Sequence, residues 1–230
     1  MYIFTRLPLI AVFFVLTGCS SLSSLNPFSS KLDPKNAPAI LEDFKPTLSV
    51  RKVWSVSVGS AGNYVFSPAS DGRNLYSASS DGTLVKIDSV SGNVLWRINS
   101  GTRLTGGVGA DSLTVAVAGD KGLLSAFDSD GKLRWKVQNS TEMLSAPVVG
   151  DGLVVARSID NRVSAFDAQT GKRKWVVERP LPALTLRTVP GLVIENHQVL
   201  VALPGGHMIS ISTETGAVRW DSVVGEPKGA

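Results

Sequence analysis

The sequence predicts an all-β fold built from repeated four-stranded antiparallel sheets, and three observations carry that prediction. Five tryptophans, Trp54, Trp96, Trp135, Trp175 and Trp220, recur at intervals of 42, 39, 40 and 45 residues. Each of the last four closes a similar phrase: "VKIDSVSGNVLW", "SAFDSDGKLRW", "SAFDAQTGKRKW" and "ISISTETGAVRW". Apolar and polar residues alternate around these phrases with the period of a half-buried strand. Four short strands repeated in tandem about every 40 residues are the pattern of a β-propeller blade. Such a blade cannot bury both faces alone and hides them by stacking radially on its neighbours.

Residues 1–18 read as a leader. Arg6 supplies a positive n-region, and "LPLIAVFFVL" at 7–16 is an apolar stretch too short to span a bilayer core of about 30 Å. "LTGC" then sets small residues before Cys19, the single cysteine of the chain. This resembles the bacterial lipobox, and what the resemblance implies is cleavage before Cys19 and acylation of its sulfur and new amino group. Each buried methylene of such chains contributes about 0.8 kcal/mol to anchoring. Ser20, in the position where an aspartate would retain a lipoprotein at the inner membrane, resembles the signal of a passenger bound for the outer membrane. Residues 19–46, rich in Ser, Pro, Asn and Lys, read as a flexible tether from the lipidated cysteine.

Residues 47–230 are expected to form the propeller. "RKVWSVSVG" predicts a lone strand over 50–58, the kind of segment that completes a last blade and closes a ring. Blades follow near 63–99, 103–138, 143–178 and 188–222. In the first three, Asp88, Asp128 and Asp167 are placed to accept hydrogen bonds from the amides of the following turn. Gly92, Gly131, Gly171 and Gly216 sit where a hairpin loop needs positive φ. The tryptophans are expected to fill the gaps between blades. With about four blades and no partner for the closing strand, the sequence is expected to be part of a larger ring.

Composition excludes several functions. The formal charge is +4, from 23 basic and 19 acidic residues that are interspersed, so there is no nucleic-acid footprint. One thiol can form neither an internal disulfide nor a thiolate metal cluster. His197 and His207 lie in turn-like "NHQV" and "GGHMI", with no cysteine, glutamate or second histidine at metal spacing, and read as surface residues. No "GxSxG" elbow occurs. "GGVGAD" at 106–111 lacks the third glycine and helix of a phosphate site, and "DSDG" at 128–131 lacks the glutamate of a calcium loop. No catalytic, metal or cofactor residue is assigned, and the chain is expected not to be an enzyme.

Lipobox, tether and Trp-marked repeat together resemble the BamB family, the quinoprotein-like lipoprotein propellers of the outer-membrane β-barrel assembly machinery. The resemblance implies an eight-bladed ring, of which this chain would carry about half. It further implies a non-catalytic scaffold on the periplasmic face of the outer membrane that binds BamA and assists insertion of unfolded β-barrel proteins. In that family a Leu-x-Leu-Arg stretch in the connection after the third blade forms part of the BamA-binding surface. The matching residues in "ERPLPALTLRTVPG" (178–191) are Leu184, Leu186 and Arg187. Acidic contacts that the family places in a later blade have no counterpart here. The repeat also resembles blades of the pyrroloquinoline-quinone dehydrogenases, the alternative reading. That class needs a calcium held by side-chain oxygens and, in many members, an adjacent cysteine pair, which this sequence lacks.

Overall fold

The computed structural model describes residues 45, 47–180 and 191–225. Contacts divide the chain into residues 1–50 and residues 51–230, and nearly all of the described structure belongs to the second unit. The described residues contain sixteen strands in four antiparallel sheets, each built from four strands consecutive in the chain. Sheet 1 holds β1 (Ala69–Ser70), β2 (Asn74–Ala78), β3 (Thr83–Asp88) and β4 (Val94–Asn99). Sheet 2 holds β5 (Leu104–Ala110), β6 (Thr114–Gly119), β7 (Leu123–Asp128) and β8 (Leu133–Gln138). Sheet 3 holds β9 (Val148–Gly150), β10 (Leu153–Arg157), β11 (Arg162–Asp167) and β12 (Arg173–Glu178). Sheet 4 holds β13 (Leu192–Glu195), β14 (Gln198–Leu203), β15 (His207–Ser212) and β16 (Val218–Val223). A 3-10 turn at Asp120–Gly122 interrupts the strands. The sheets are four blades of a β-propeller.

Strand alternation explains the stacking. In β6 every residue is buried, but its two faces serve different neighbours. Val115 and Val117 join Tyr76, Leu84, Leu104 and Phe127 in the core between blades 1 and 2. Ala116 and Ala118 join Leu124, Trp135, Val154 and Phe166 between blades 2 and 3. The same division recurs in β10, where Val154 and Ala156 face blade 2 while Leu153 and Val155 meet Val199, Val201, Ile209 and Ile211 of blade 4. A period of two thus places one strand in two cores.

The first strands of successive blades lie side by side, and their closeness explains "GGVGAD". A Cβ on Gly109 would come 2.0 Å from the carbonyl oxygen of Pro147, and one on Gly106 would come 2.4 Å from that of Ser145. These glycines let backbones of neighbouring blades approach.

The segment expected as a lone closing strand over 50–58 pairs with no described strand. Residues 51–60 carry no strand, and no ladder partner exists among the described residues. The strands of sheet 1 pair only with one another. Side chains hold it instead: Arg97 of β4 donates to the carbonyls of Ser57 (2.7 Å) and Val58 (3.3 Å), and Trp54 reaches the β3–β4 turn.

Candidate functional site

The tryptophans key each blade to the next. Trp54 Nε1 donates to Ser89 O (3.2 Å), Trp96 to Ser129 O (2.9 Å), Trp135 to Ala168 O (3.0 Å) and Trp175 to Thr213 O (2.8 Å). Every acceptor lies in the β-turn of the following unit, immediately after its turn Asp or Ser. The glycine of that same turn receives the indole face. A Cβ on Gly92, Gly171 or Gly216 would meet the ring of Trp54, Trp135 or Trp175 at 2.5–2.7 Å, and Gly131 lies against Trp96 and Ile98. All four glycines have φ between 71° and 83°. Trp135 and Trp175 are 8% and 9% exposed, whereas Trp220 is 40% exposed, with no described turn against it.

A repeated β-bulge aims the indoles, and it was not foreseen. In every blade the register between the third and fourth strands slips at one place, between Lys86/Ile87, Ala126/Phe127, Ala165/Phe166 and Ser210/Ile211. The residue passed over is Leu95, Arg134, Lys174 or Arg219, immediately before the tryptophan. A bulge adds local twist and re-aims the next side chain, which turns the indole toward the adjoining blade.

The turn aspartates behave as the sequence predicts. Asp88 Oδ1 accepts from the amides of Val90 and Ser91, Asp128 Oδ1 from Asp130 and Lys132, and Asp167 Oδ1 from Gln169 and Thr170. The Ser91 amide and hydroxyl hold Asp88 below the ordinary carboxylate range, the Lys132 amide does so for Asp128, and the Thr170 hydroxyl and amide for Asp167. In blade 4 Ser212 takes this place and receives the Thr215 amide at 3.4 Å.

Blade 1 carries a stronger carboxylate cluster. Asp71 Oδ1 accepts from the amides of Arg73 (2.9 Å) and Asn74 (2.6 Å), and Oδ2 from Asn74 Nδ2 and Tyr76 Oη, both at 2.9 Å. Burial raises its pKa, but these donors outweigh burial and bring it to about 2, while burial and then Asp71 push the Tyr76 phenol upward. Lowered below its unfolded value, Asp71 contributes stability that is complete above about pH 4 and is lost as pH falls through about 2. Asp71→Asn is therefore expected to cost about 1–2 kcal/mol at pH 7. The difference from wild type should shrink steadily as pH falls from about 4 through 2, as read from urea midpoints at each pH. A gap of constant size down to pH 2 would contradict this assignment.

No chemistry of the enzymatic kind is assembled among the described residues. An apolar trough of about 450 Å³ runs along the first strands, lined by Ala69, Val108, Gly109, Val148, Leu192 and Ile194 among others, and no titratable side chain faces it. A second, charged cleft of about 680 Å³ lies where blade 3 meets blade 4. There Asp151 Oδ2 accepts from Thr213 Oγ1 (2.9 Å) and sits 3.1 Å from His197 Nδ1. The carboxylate stands between hydroxyl and imidazole, whereas nucleophile activation needs the imidazole in the middle. His207 likewise pairs with Asp221 (3.0 Å). Both aspartate partners come from other strands and turns, which is why the histidine neighbourhoods gave no sign of them. No group of three or more His, Cys, Asp or Glu among the described residues could hold a metal ion.

Cys19 and the stretch Leu184, Leu186 and Arg187 lie outside the described residues. The chain on either side of that stretch is described, and its entry is unusual. Arg157, 4% exposed, donates through Nη1 to Ala202 O and through Nη2 to Asn161 Oδ1, each at 2.6 Å. Burial lowers the pKa of this guanidinium. The buried Asn161, at φ 67°, directs Nδ2 to the carbonyls of Arg179 and Pro180, both at 3.4 Å. Arg179 Nη2 in turn lies 3.5 Å from Asp221 Oδ2 in β16.

Stacked four-stranded blades, each fastened to the next by an indole on a turn glycine, define a tryptophan-docked β-propeller. A family profile described as "Outer membrane protein assembly factor BamB" matches residues 47–101 and 80–230. The chain belongs to that family. It is 41% identical to the assembly factor of this name from Bordetella pertussis, over 94% of this chain and 56% of the relative. Among solved structures, BamB from Moraxella catarrhalis superposes with a TM-score of 0.60 at 22% identity, covering 68% of this chain and 47% of the other. The quinohemoprotein alcohol dehydrogenase of Comamonas testosteroni gives 0.57 at 18% identity, covering 74% and 36%. Both structural likenesses concern the fold. The chain spans a little over half the length of the curated relative.

Proposed function

We propose that this chain is a non-catalytic scaffold of the outer-membrane β-barrel assembly machinery, tied to the outer membrane by lipid on Cys19 and facing the periplasm. It docks on BamA in part through Leu184, Leu186 and Arg187, and so keeps unfolded β-barrel proteins near their insertion site. The observation that carries this reading is membership of the assembly-factor family along almost the whole of residues 47–230. The blade architecture supports it. Indoles, inner-strand glycines and turn carboxylates are spent on locking blade to blade, which yields a rigid platform whose connections are free to recognise partners.

Leucines need a pocket and an arginine offers a forked donor, the chemistry of an interface hot spot. Replacing Leu186 and Arg187 together by alanine is expected to weaken capture of the BamA periplasmic region at least 30-fold, about 2 kcal/mol. The unfolding midpoint should not move. Capture at wild-type strength would remove this stretch from the partner surface.

A further inference from the structure

We infer that Arg157 and Asn161 are positioning residues that set the entry of the 181–190 connection. This rests on the reading of that connection as the partner contact. The argument comes from the repeat itself. Ladder pairing makes Ala78, Ala118, Arg157 and Ala202 equivalent: each lies opposite the second residue of the register that begins the next strand, namely Leu84, Leu124, Val163 and Met208. Three blades have alanine here, and blade 3 has arginine. By the same register Asn161 matches Gly82, Gly122 and Gly206, all at positive φ. Asparagine tolerates that conformation but brings an amide that glycine lacks. Blade 3 therefore departs from its sister blades at two positions, and the two replacements bond to each other.

What they hold is the start of one particular connection. The links that follow blades 1 and 2 span residues 100–103 and 139–147, whereas the link after blade 3 spans 179–191 and contains the Leu-x-Leu-Arg stretch. Arg157 fixes Asn161 with one nitrogen and the blade 4 backbone, at Ala202, with another. Asn161 then shares its amide between the last two carbonyls before the connection. Packing alone does not call for this. A buried guanidinium is costly, Nε of Arg157 has no partner among the described residues, and alanine serves at the same place elsewhere. The arrangement registers the chain leaving blade 3 to the seam with blade 4.

Restoring the residues of the other blades gives the test. Arg157→Ala with Asn161→Gly should leave the urea midpoint of the full chain close to wild type. Tryptic cleavage after Arg187 should become at least 10-fold faster, while cleavage after Lys172 and Arg173 within blade 3 keeps its rate. The bond after Arg179 precedes proline and resists trypsin, so Arg187 reports the connection alone. Capture of the BamA periplasmic region should weaken at least 10-fold. A second variant, Arg157→Lys, keeps the charge but cannot fork to both acceptors, and the same changes are expected in smaller measure. Wild-type cleavage after Arg187 in both variants would overturn the inference. Should wild-type protein itself fail to bind BamA, the functional reading falls, and the cleavage rates still decide whether Arg157 and Asn161 position the connection.

Discussion

Replacing Trp135 by alanine is expected to destabilise the protein by about 3–5 kcal/mol, the largest effect of any single side-chain truncation outside the inner strands. Two losses add. The indole is 8% exposed and packs on Gly171 and near Phe166, with ring centroids 6.2 Å apart. Its removal also leaves the Ala168 carbonyl, now the acceptor of a 3.0 Å bond, without a donor. Trp135→Phe keeps most of the packing and loses only the bond, so a cost near 1 kcal/mol is expected. Gly171→Ala tests the other half of the joint. It pays for positive φ, about 1–2 kcal/mol, and it drives a methyl within 2.7 Å of the indole. In the Trp135→Ala background the clash vanishes and only the backbone cost remains, so the two substitutions should be strongly sub-additive. Because stacked repeats couple through neighbours, loosening the seam between blades 2 and 3 should also lower the cooperativity of urea unfolding, seen as a smaller m value. Simple additivity of the pair would mean that the ring and the turn do not form one joint.

Much of this joint is legible in the sequence, for a physical reason. A residue that must fill an inter-blade gap is large, one that must turn the chain at positive φ is glycine, and a turn that needs an acceptor takes aspartate. Such demands recur in every blade and leave a period. What escapes is whatever depends on pairing rather than on composition. The bulge before Trp96, Trp135, Trp175 and Trp220 shows only in strand register. The segment over 50–58 has the alternation of a strand, but a ladder also needs a paired neighbour, and this segment pairs with no described strand. The link from His197 to Asp151 brings together residues far apart in the chain, and that from His207 to Asp221 depends on the pairing of β15 with β16. Arg157 and Asn161 stand between these cases. The stretches "ASSDGTL", "AGDKGLL", "RSIDNRV" and "ALPGGHM" reveal both departures once aligned, but only the ladder says that the two side chains meet and what they hold.

The inner strands impose the opposite demand from the seams, and Gly109→Ala should expose it. Gly109 lies within β5 and is not at positive φ, so alanine there meets no conformational penalty of its own. The obstacle is space. Its Cβ would stand 2.0 Å from Pro147 O, 2.8 Å from Pro147 C and 3.3 Å from Val148 Cα, all backbone atoms that cannot rotate away. Relief requires the two strands to part by more than an ångström, yet Gly109 is held in register with Ala116 and Val148 with Val155. Overpacking a rigid contact of this kind costs about 3 kcal/mol or more. Gly191→Ala supplies the contrast, since it has ordinary φ and nothing within 4 Å among the described residues, and should be nearly neutral. Measured by urea unfolding side by side, equal effects at 109 and 191 would show that the first strands do not abut. A large difference would mean that less than one methyl group's width separates blades 2 and 3 at their inner edge, and that glycine at this place serves close approach where glycine in the turns serves a change of direction.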